Sequence, residues 1–402
     1  MLTVLLIGFP LLAGLLVSLS NEKNAKQITL LASLIQLCII VFTLTQFQHN
    51  SEEQFALNIE WVKSLGIHFS IAMDGISILL VLLTNVLVPL IVLSSFSRKI
   101  ENANTFYSLI LIMQSALVGV FTAMDGFLFY IFWELALIPI WFICLRWGSS
   151  PNNSKITFKF FVYTLTGSLF MLVGLIYVYL HTDNVILENG TAVSRTFDIH
   201  ALYTAGQNLS AKEQGWLFWA MFIAFAIKMP VFPFHTWQPD TYVTAPTQGT
   251  MLLSGIMLKM GTYGLMRWLL PLVPAGIQQW GNTAIIISVT GIIYASVIAI
   301  MQKDFKRLIA FSSIAHVGLI SAGIFSLNLQ GLTGGLMQML AHGINVVGLF
   351  FVADIFFNRT QTREIASLGG IRNVAPAFAT TFMIIMLGSV ALPITNGFIC
   401  EF

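Results

Sequence analysis

Apolar runs of about 20 residues, the length needed to cross a bilayer as a helix, recur along almost the whole chain. Twelve can be drawn: 2–20, 28–47, 75–97, 104–124, 126–146, 158–181, 214–237, 246–270, 279–301, 305–326, 331–357 and 376–402. The pattern predicts an all-α, polytopic bundle of twelve transmembrane helices. The first run has no basic leader and no small-residue cleavage site, so it reads as a span and not as a signal peptide. Polar residues sort between alternate breaks. Lys23, Lys26, Arg98, Lys99, Arg146, Lys155, Lys159, Lys303, Lys306, Arg307, Arg359, Arg363 and Arg372 fall on one side. Only Lys63, Arg195, Lys212 and Arg267 fall on the other. Short loops rich in Lys and Arg stay in the cytoplasm, which puts the N-terminus outside.

The two longer loops, 48–74 and 182–213, then lie outside. In the first, NIEWVKSLGIHFSIAMDG carries Trp61, Ile67, Phe69 and Ile71 in a spacing that predicts a short strand or hairpin. Neither loop holds a motif with recognisable chemistry.

Composition agrees with the membrane reading. The chain is 57% hydrophobic and 9% charged, against about 25% charged for soluble domains. A net charge of +2 gives no reason to expect nucleic acid. Cys38, Cys144 and Cys400 are far apart in apolar runs, without the spacing of a zinc site, an iron–sulfur centre or a disulfide framework. No glycine-rich nucleotide loop is present.

Setting the loop charges aside leaves Glu134, Lys228, Lys259 and Glu401, with His235, His316 and His342. Each charge at mid-helix costs roughly 2.5–3.5 kcal/mol, and apolar residues would be cheaper. Glu134, Lys228 and Lys259 fall at similar depths. One interhelical Glu134–Lys228 ion pair would be a structural explanation, but it leaves Lys259 unexplained. The functional reading is a proton relay, because burial weakens a lysine's hold on its proton and a nearby carboxylate strengthens it. Pro230 and Pro233 break the helix beside Lys228 and free carbonyls that water could satisfy. His316 and His342 sit among Ser312, Ser313, Gln338 and Asn345. They are relay candidates, although a histidine in a helix often only satisfies hydrogen bonds. His235, past the break, is expected to cap.

Segments 214–237 and 376–402 are both proline-broken, at Pro230, Pro233 and Pro393, and each carries an ionisable residue. Five helices separate them, as two inverted five-helix repeats require. The division expected is N-terminal helices at 1–97, a first repeat at 104–270 and an incomplete second at 279–402. The last run stops at Phe402 without a polar exit, so further helices are expected beyond it.

These residues lie in FWELALIPIW, FAIKMPVFPFHTWQPD, APTQGTMLLSGIMLKMGTYGLMR, QKDFKRLIAFSSIAHVG and LPITNGFICEF. In those blocks the chain resembles the antiporter-like membrane subunits of respiratory complex I, along its whole length. The resemblance implies fourteen helices, of which this chain would hold twelve, with broken helices 7 and 12. It implies relay roles for Glu134, Lys228, Lys259, His316, His342 and Glu401. Glu401 falls where one branch of the family has glutamate and its sister subunits and the Mrp antiporters have lysine. Tyr242 departs from a histidine common in the family, so no proton-carrying role is assigned there. The implied function is proton export across a bacterial inner membrane. NADH, FMN, iron–sulfur clusters and quinone would all be held by partner subunits and no cofactor or metal by this chain. The partners would be other complex I membrane subunits, sister antiporter-like subunits among them, and the lipid bilayer. A Mrp-type sodium/proton antiporter subunit is the alternative, and a purely structural scaffold a more distant one.

Overall fold

A computed structural model describes residues 1–50, 52–183, 185–186, 192–193 and 195–402. Within the predicted outer loop 182–213, residues 184, 187–191 and 194 lie outside the described residues. The apolar runs become helices in the order the pattern predicts. They are α1 (Leu2–Leu19), α2 (Glu22–Gln46), α3 (Gly75–Ser94), α4 (Ala103–Thr122), α5 (Gly126–Trp147) and α6 (Asn153–Tyr179). A short α7 (Ile199–Asn208) precedes α8 (Ala211–Lys228) and α9 (Gln238–Thr244). The run 246–270 becomes α10 (Thr247–Leu252), α11 (Leu258–Gly264) and α12 (Leu270–Leu272), joined by π-helical turns at Leu253–Met257 and Leu265–Leu269. Then follow α13 (Pro274–Ile300), α14 (Phe305–Phe325), α15 (Leu329–Thr360), α16 (Ile371–Val374), α17 (Pro376–Ser389) and α18 (Asn396–Glu401). Among the described residues, nine of these are long and apolar enough to cross a membrane. The remaining predicted runs are the ones that break.

Helix starts follow from side-chain caps. Asp74 accepts from the Ile76 and Ser77 N–H groups while the Ser77 hydroxyl accepts from the Asp74 N–H, a reciprocal capping box on α3. Asp125 caps α5, accepting from Phe127 and Leu128 N–H at 2.9 and 3.0 Å. Asp304 and Asn328 do the same for α14 and α15. α2 and α6 begin a turn or more before their apolar runs, because interfacial Glu22, Asn153 and the lysines after them are compatible with helix. The 48–74 loop contains an antiparallel hairpin, β1 (Gln54–Val62) against β2 (Ile67–Met73). Gly66 turns it at φ +59°, where a Cβ would meet the Arg195 carbonyl oxygen at 2.0 Å, so no other residue fits there. A two-residue pair, β3 (Val185–Ile186) with β4 (Ala192–Val193), lies in the second loop.

Two compact units result. The first comprises residues 1–142, 161–228 and 263–281, and the second residues 143–160, 229–262 and 282–402. In the first, large aromatics fill the interior: Phe129 packs on Trp268 at 4.7 Å and Trp133 on Phe225 at 5.7 Å between ring centroids. α4 and α5 approach closely at Gly119, where an added Cβ would lie 2.4 Å from the Phe132 ring. Gly119→Ala is therefore expected to destabilise the protein by about 1–3 kcal/mol, measured as a lowered thermal midpoint of the purified protein. In the second unit, α14 and α15 pack side by side, and α15 also packs against α10, α17 and α18. With 32 residues, α15 is about 48 Å long and outruns the hydrocarbon core of about 30 Å.

Candidate functional site

The first unit holds Glu134 and Lys228. α8 ends at Lys228 itself, and Pro230 and Pro233 lie in the turn that follows. Lys228 is 97% buried, and its ammonium lies 5.1 Å above the Trp133 ring and has no hydrogen-bond partner. Trp133 thus offers its π face to a desolvated cation. Glu134 interacts with it through charge, and Ser168 on α6 lies beside the carboxylate. Glu134 Oε1 is buried without a partner. The two groups sense each other but do not form a closed, hydrogen-bonded pair. A packing clamp would satisfy both ends, and this arrangement does not.

The second unit assembles the other four residues into one row. Lys259 lies immediately past the π turn at Leu253–Met257, a kind of distortion often found at functional sites. Its ammonium donates to the Ser254 carbonyl at 2.8 Å and meets His342 Nδ1 at 2.9 Å. Both residues are buried, Lys259 completely. The His342 ring lies 5.7 Å from that of His316. His316 Nδ1 is 2.8 Å from the Ser312 carbonyl and Nε2 is 2.9 Å from the Ser389 carbonyl. Carbonyls only accept, so this ring bonds to both only when both nitrogens carry protons. Glu401 Oε1 lies 3.5 Å from His316 Nε2 and accepts from Gln338 Nε2 at 2.8 Å. The row therefore runs Lys259, His342, His316, Glu401, with polar contacts at its two ends and ring packing between the histidines.

A cavity of ≈ 20 Å³ borders this row, lined in part by Ser312, Ser313, His316, Gln338, His342 and Asn345. It can hold one water molecule. Ser313 Oγ, Gln338 Oε1 and His342 Nε2 are buried there without protein partners, which are the bonds such a water would make. Pro393 lies in the turn between α17 and α18 and leads into the helix that carries Glu401.

His235 differs from expectation. Its ring stacks on Phe232 and meets Tyr294 edge-on, while Nδ1 has no partner. An imidazole held by aromatic neighbours is a packing residue and not a cap. Three features lie outside the expected set: Trp133 as a cation platform, Ser168, and Asp354. Asp354 sits in FFVADIFF inside the run 331–357 and is 95% buried. Its carboxylate falls only three residues before the end of that run, so the sequence signal is weak. Lys306, counted among loop charges, is 96% buried and donates to the Ala245 carbonyl at 2.8 Å.

Residues 123–402 match the family described as NADH:quinone oxidoreductase/Mrp antiporter, TM. The chain is 39% identical over 405 residues to NADH-quinone oxidoreductase subunit M of Rickettsia conorii, covering 98% of this chain and 80% of that one. It is 35% identical over 401 residues to NADH-ubiquinone oxidoreductase chain 4 of Marchantia polymorpha, covering 99% and 78%. Among solved structures it is similar to a chain of respiratory complex I from Thermus thermophilus with bound NADH. The TM-score is 0.89 at 28% identity, over 99% of this chain and 80% of that one.

Proposed function

Because the chain belongs to the membrane-subunit family that NADH–quinone oxidoreductases share with Mrp antiporters, and within it to the subunit M type, we propose that it moves protons through two sets of buried groups. One is Glu134 with Lys228; the other is Lys259, His342, His316 and Glu401. The observation that carries the reading is the row in the second unit, in which Lys259 meets His342 at 2.9 Å, His316 meets Glu401 at 3.5 Å, and the two histidine rings lie 5.7 Å apart between centroids. Apolar residues at these positions would be cheaper in a membrane, so packing alone does not account for them.

In this reading the chain crosses the membrane twelve times, in two inverted five-helix repeats at 104–270 and 279–402. The N-terminus is outside a bacterial inner membrane and the basic loops are in the cytoplasm. Redox chemistry takes place on partner subunits that hold NADH, flavin, iron–sulfur clusters and quinone. Sister antiporter-like subunits lie alongside. The chain's own task is proton handling. A proton on Lys228 is held by Glu134 and the Trp133 face, and the break at Pro230 and Pro233 supplies carbonyls for water. In the second unit, an ammonium donating to His342 Nδ1 fixes the ring with its proton on Nε2, facing the small cavity. Transfer from Lys259 to His342 reverses that bond and loads the ring.

Lys228→Ala is expected to lower quinone-coupled proton export by the assembled complex about tenfold or more. NADH oxidation by an artificial acceptor that bypasses quinone should not change. Export at the wild-type rate would remove the assignment. A Mrp-type sodium/proton antiporter subunit remains the related reading, and sodium-dependent but NADH-independent proton movement in vesicles is its signature.

A further inference from the structure

Among the polar contacts that join the antiparallel partners α10–α11 and α15, two involve ionisable side chains. One is Lys259 with His342. The other is Thr247 with Asp354, whose carboxylate accepts the Thr247 hydroxyl and the Asn358 amide, the latter at 3.0 Å. The contacts are twelve residues apart on both helices, about 18 Å along the axis. Lys306, on α14, faces the second contact and interacts with Asp354 through charge, as it does with Asp304 and Arg363. Both Lys306 and Asp354 are at least 95% buried. They sit at the end of the unit where the 301–304 and 361–364 loops pair through a bridge between Asp304 and Glu364.

Between the two contacts lies α9. The Tyr242 ring meets Phe350 edge-on at 5.8 Å, one turn of α15 from Asp354, and the Tyr242 carbonyl accepts from Thr250 Oγ1 at 2.9 Å. Tyr242 and Gln238 are completely buried and face each other. Beyond each other, the Tyr242 hydroxyl and both polar atoms of the Gln238 amide have no hydrogen-bond partner. Buried polar groups left unsatisfied are costly, a cost that phenylalanine and leucine would avoid. Water along this seam would satisfy them.

We propose that Asp354, with Lys306, is the proton-loading group at the basic-loop end of the second unit, and that it feeds Lys259 and His342 along the seam lined by Tyr242 and Gln238. The inference rests on the proton-translocating reading above. Asp354 accepts a proton on a carboxylate oxygen and releases it to seam water, so its side chain cycles between two charge states beside a fixed ammonium. A capping role for α10 requires only the hydrogen bond from Thr247, which asparagine also accepts.

The test compares Asp354→Asn, Asp354→Glu, Tyr242→Phe and Lys228→Ala in the whole complex, in inverted membrane vesicles. Quinone-linked proton export and NADH oxidation by a quinone-bypassing acceptor are both recorded. Asp354→Asn is expected to lower export about tenfold or more with acceptor activity and assembly unchanged, and Asp354→Glu to restore most of it. Wild-type export by Asp354→Asn overturns the proposal. If that variant fails to assemble, Tyr242→Phe decides: a several-fold loss supports the seam and wild-type export overturns it. Lys228→Ala separates the two readings. If it loses export while Asp354→Asn does not, only the loading group is wrong; if both retain export, the proton-translocating reading fails as well.

Discussion

Replacing Lys259 by methionine is expected to stop quinone-coupled proton export while leaving the protein folded and assembled. Methionine matches lysine in length and is cheaper to bury, so the membrane gains from the change. The lost groups are the donors to Ser254 and His342, at 2.8 and 2.9 Å. His342 Nδ1 then has no proton to receive. A group that transfers a proton contributes of the order of a hundredfold or more in rate, so a fall of at least about tenfold in quinone-linked NADH oxidation is expected. Oxidation by an artificial acceptor should stay at the wild-type rate. Lys259→Arg separates chemistry from charge. Arginine keeps a cation beside Ser254 but does not give up its proton in proteins. If Lys259 only anchored the π turn electrostatically, arginine would restore activity. If it passes protons, arginine is as inactive as methionine.

How much of this could be read in the sequence depends on the kind of signal each residue leaves. Lys228 and Lys259 stand out because a cation in an apolar run has a cost that composition exposes at once. Pro230, Pro233 and Pro393 mark their own breaks. The π turns do not: LSGIM and LMRWL contain no residue that forbids an α-helix, so no local pattern marks the distortion. Nor does any periodicity encode the meeting of Lys259 with His342, which are 83 residues apart. Trp133 is invisible for the opposite reason, being one aromatic in a span full of them. Asp354 and Lys306 show a subtler failure. Both lie near the ends of their spans, where charges are usually solvated and therefore unremarkable. Only the depth of packing at α9, α14 and α15 makes them buried. Residues 229–262, which include Lys259, pack within the second unit. A broken helix lets the chain leave one unit and join another at Lys228, and no local pattern specifies which unit receives the next segment.

Arg267→Met should give the largest loss of stability, for a reason unrelated to proton movement. Arg267 donates to Asp74 Oδ2 in a nearly enclosed ion pair, the two side chains being 14% and 17% exposed. Tyr263 accepts from Arg267 Nε at 3.3 Å, and Tyr203 donates to the Arg267 carbonyl. Removing the guanidinium strands a buried carboxylate, which costs about 3–5 kcal/mol. The double variant Asp74→Asn/Arg267→Met strands no charge and should recover much of that loss. The pH dependence follows from the same groups. Burial alone would raise the Asp74 pKa, but Arg267 beside it and the bonds from Ser77 hold it below the usual carboxylate range. A depressed folded-state pKa contributes stability that is present above the unfolded value of about 3.9 and is lost as pH falls through the folded one. In Arg267→Met burial is opposed only by the Ser77 bonds, so the Asp74 pKa rises and protonation relieves the penalty as the medium turns acid. The difference in thermal midpoint between wild type and Arg267→Met should therefore be widest near neutral pH and narrow toward pH about 4. A difference that stays constant across that range would mean that lost packing of the arginine stem, and not the stranded charge, causes the destabilisation.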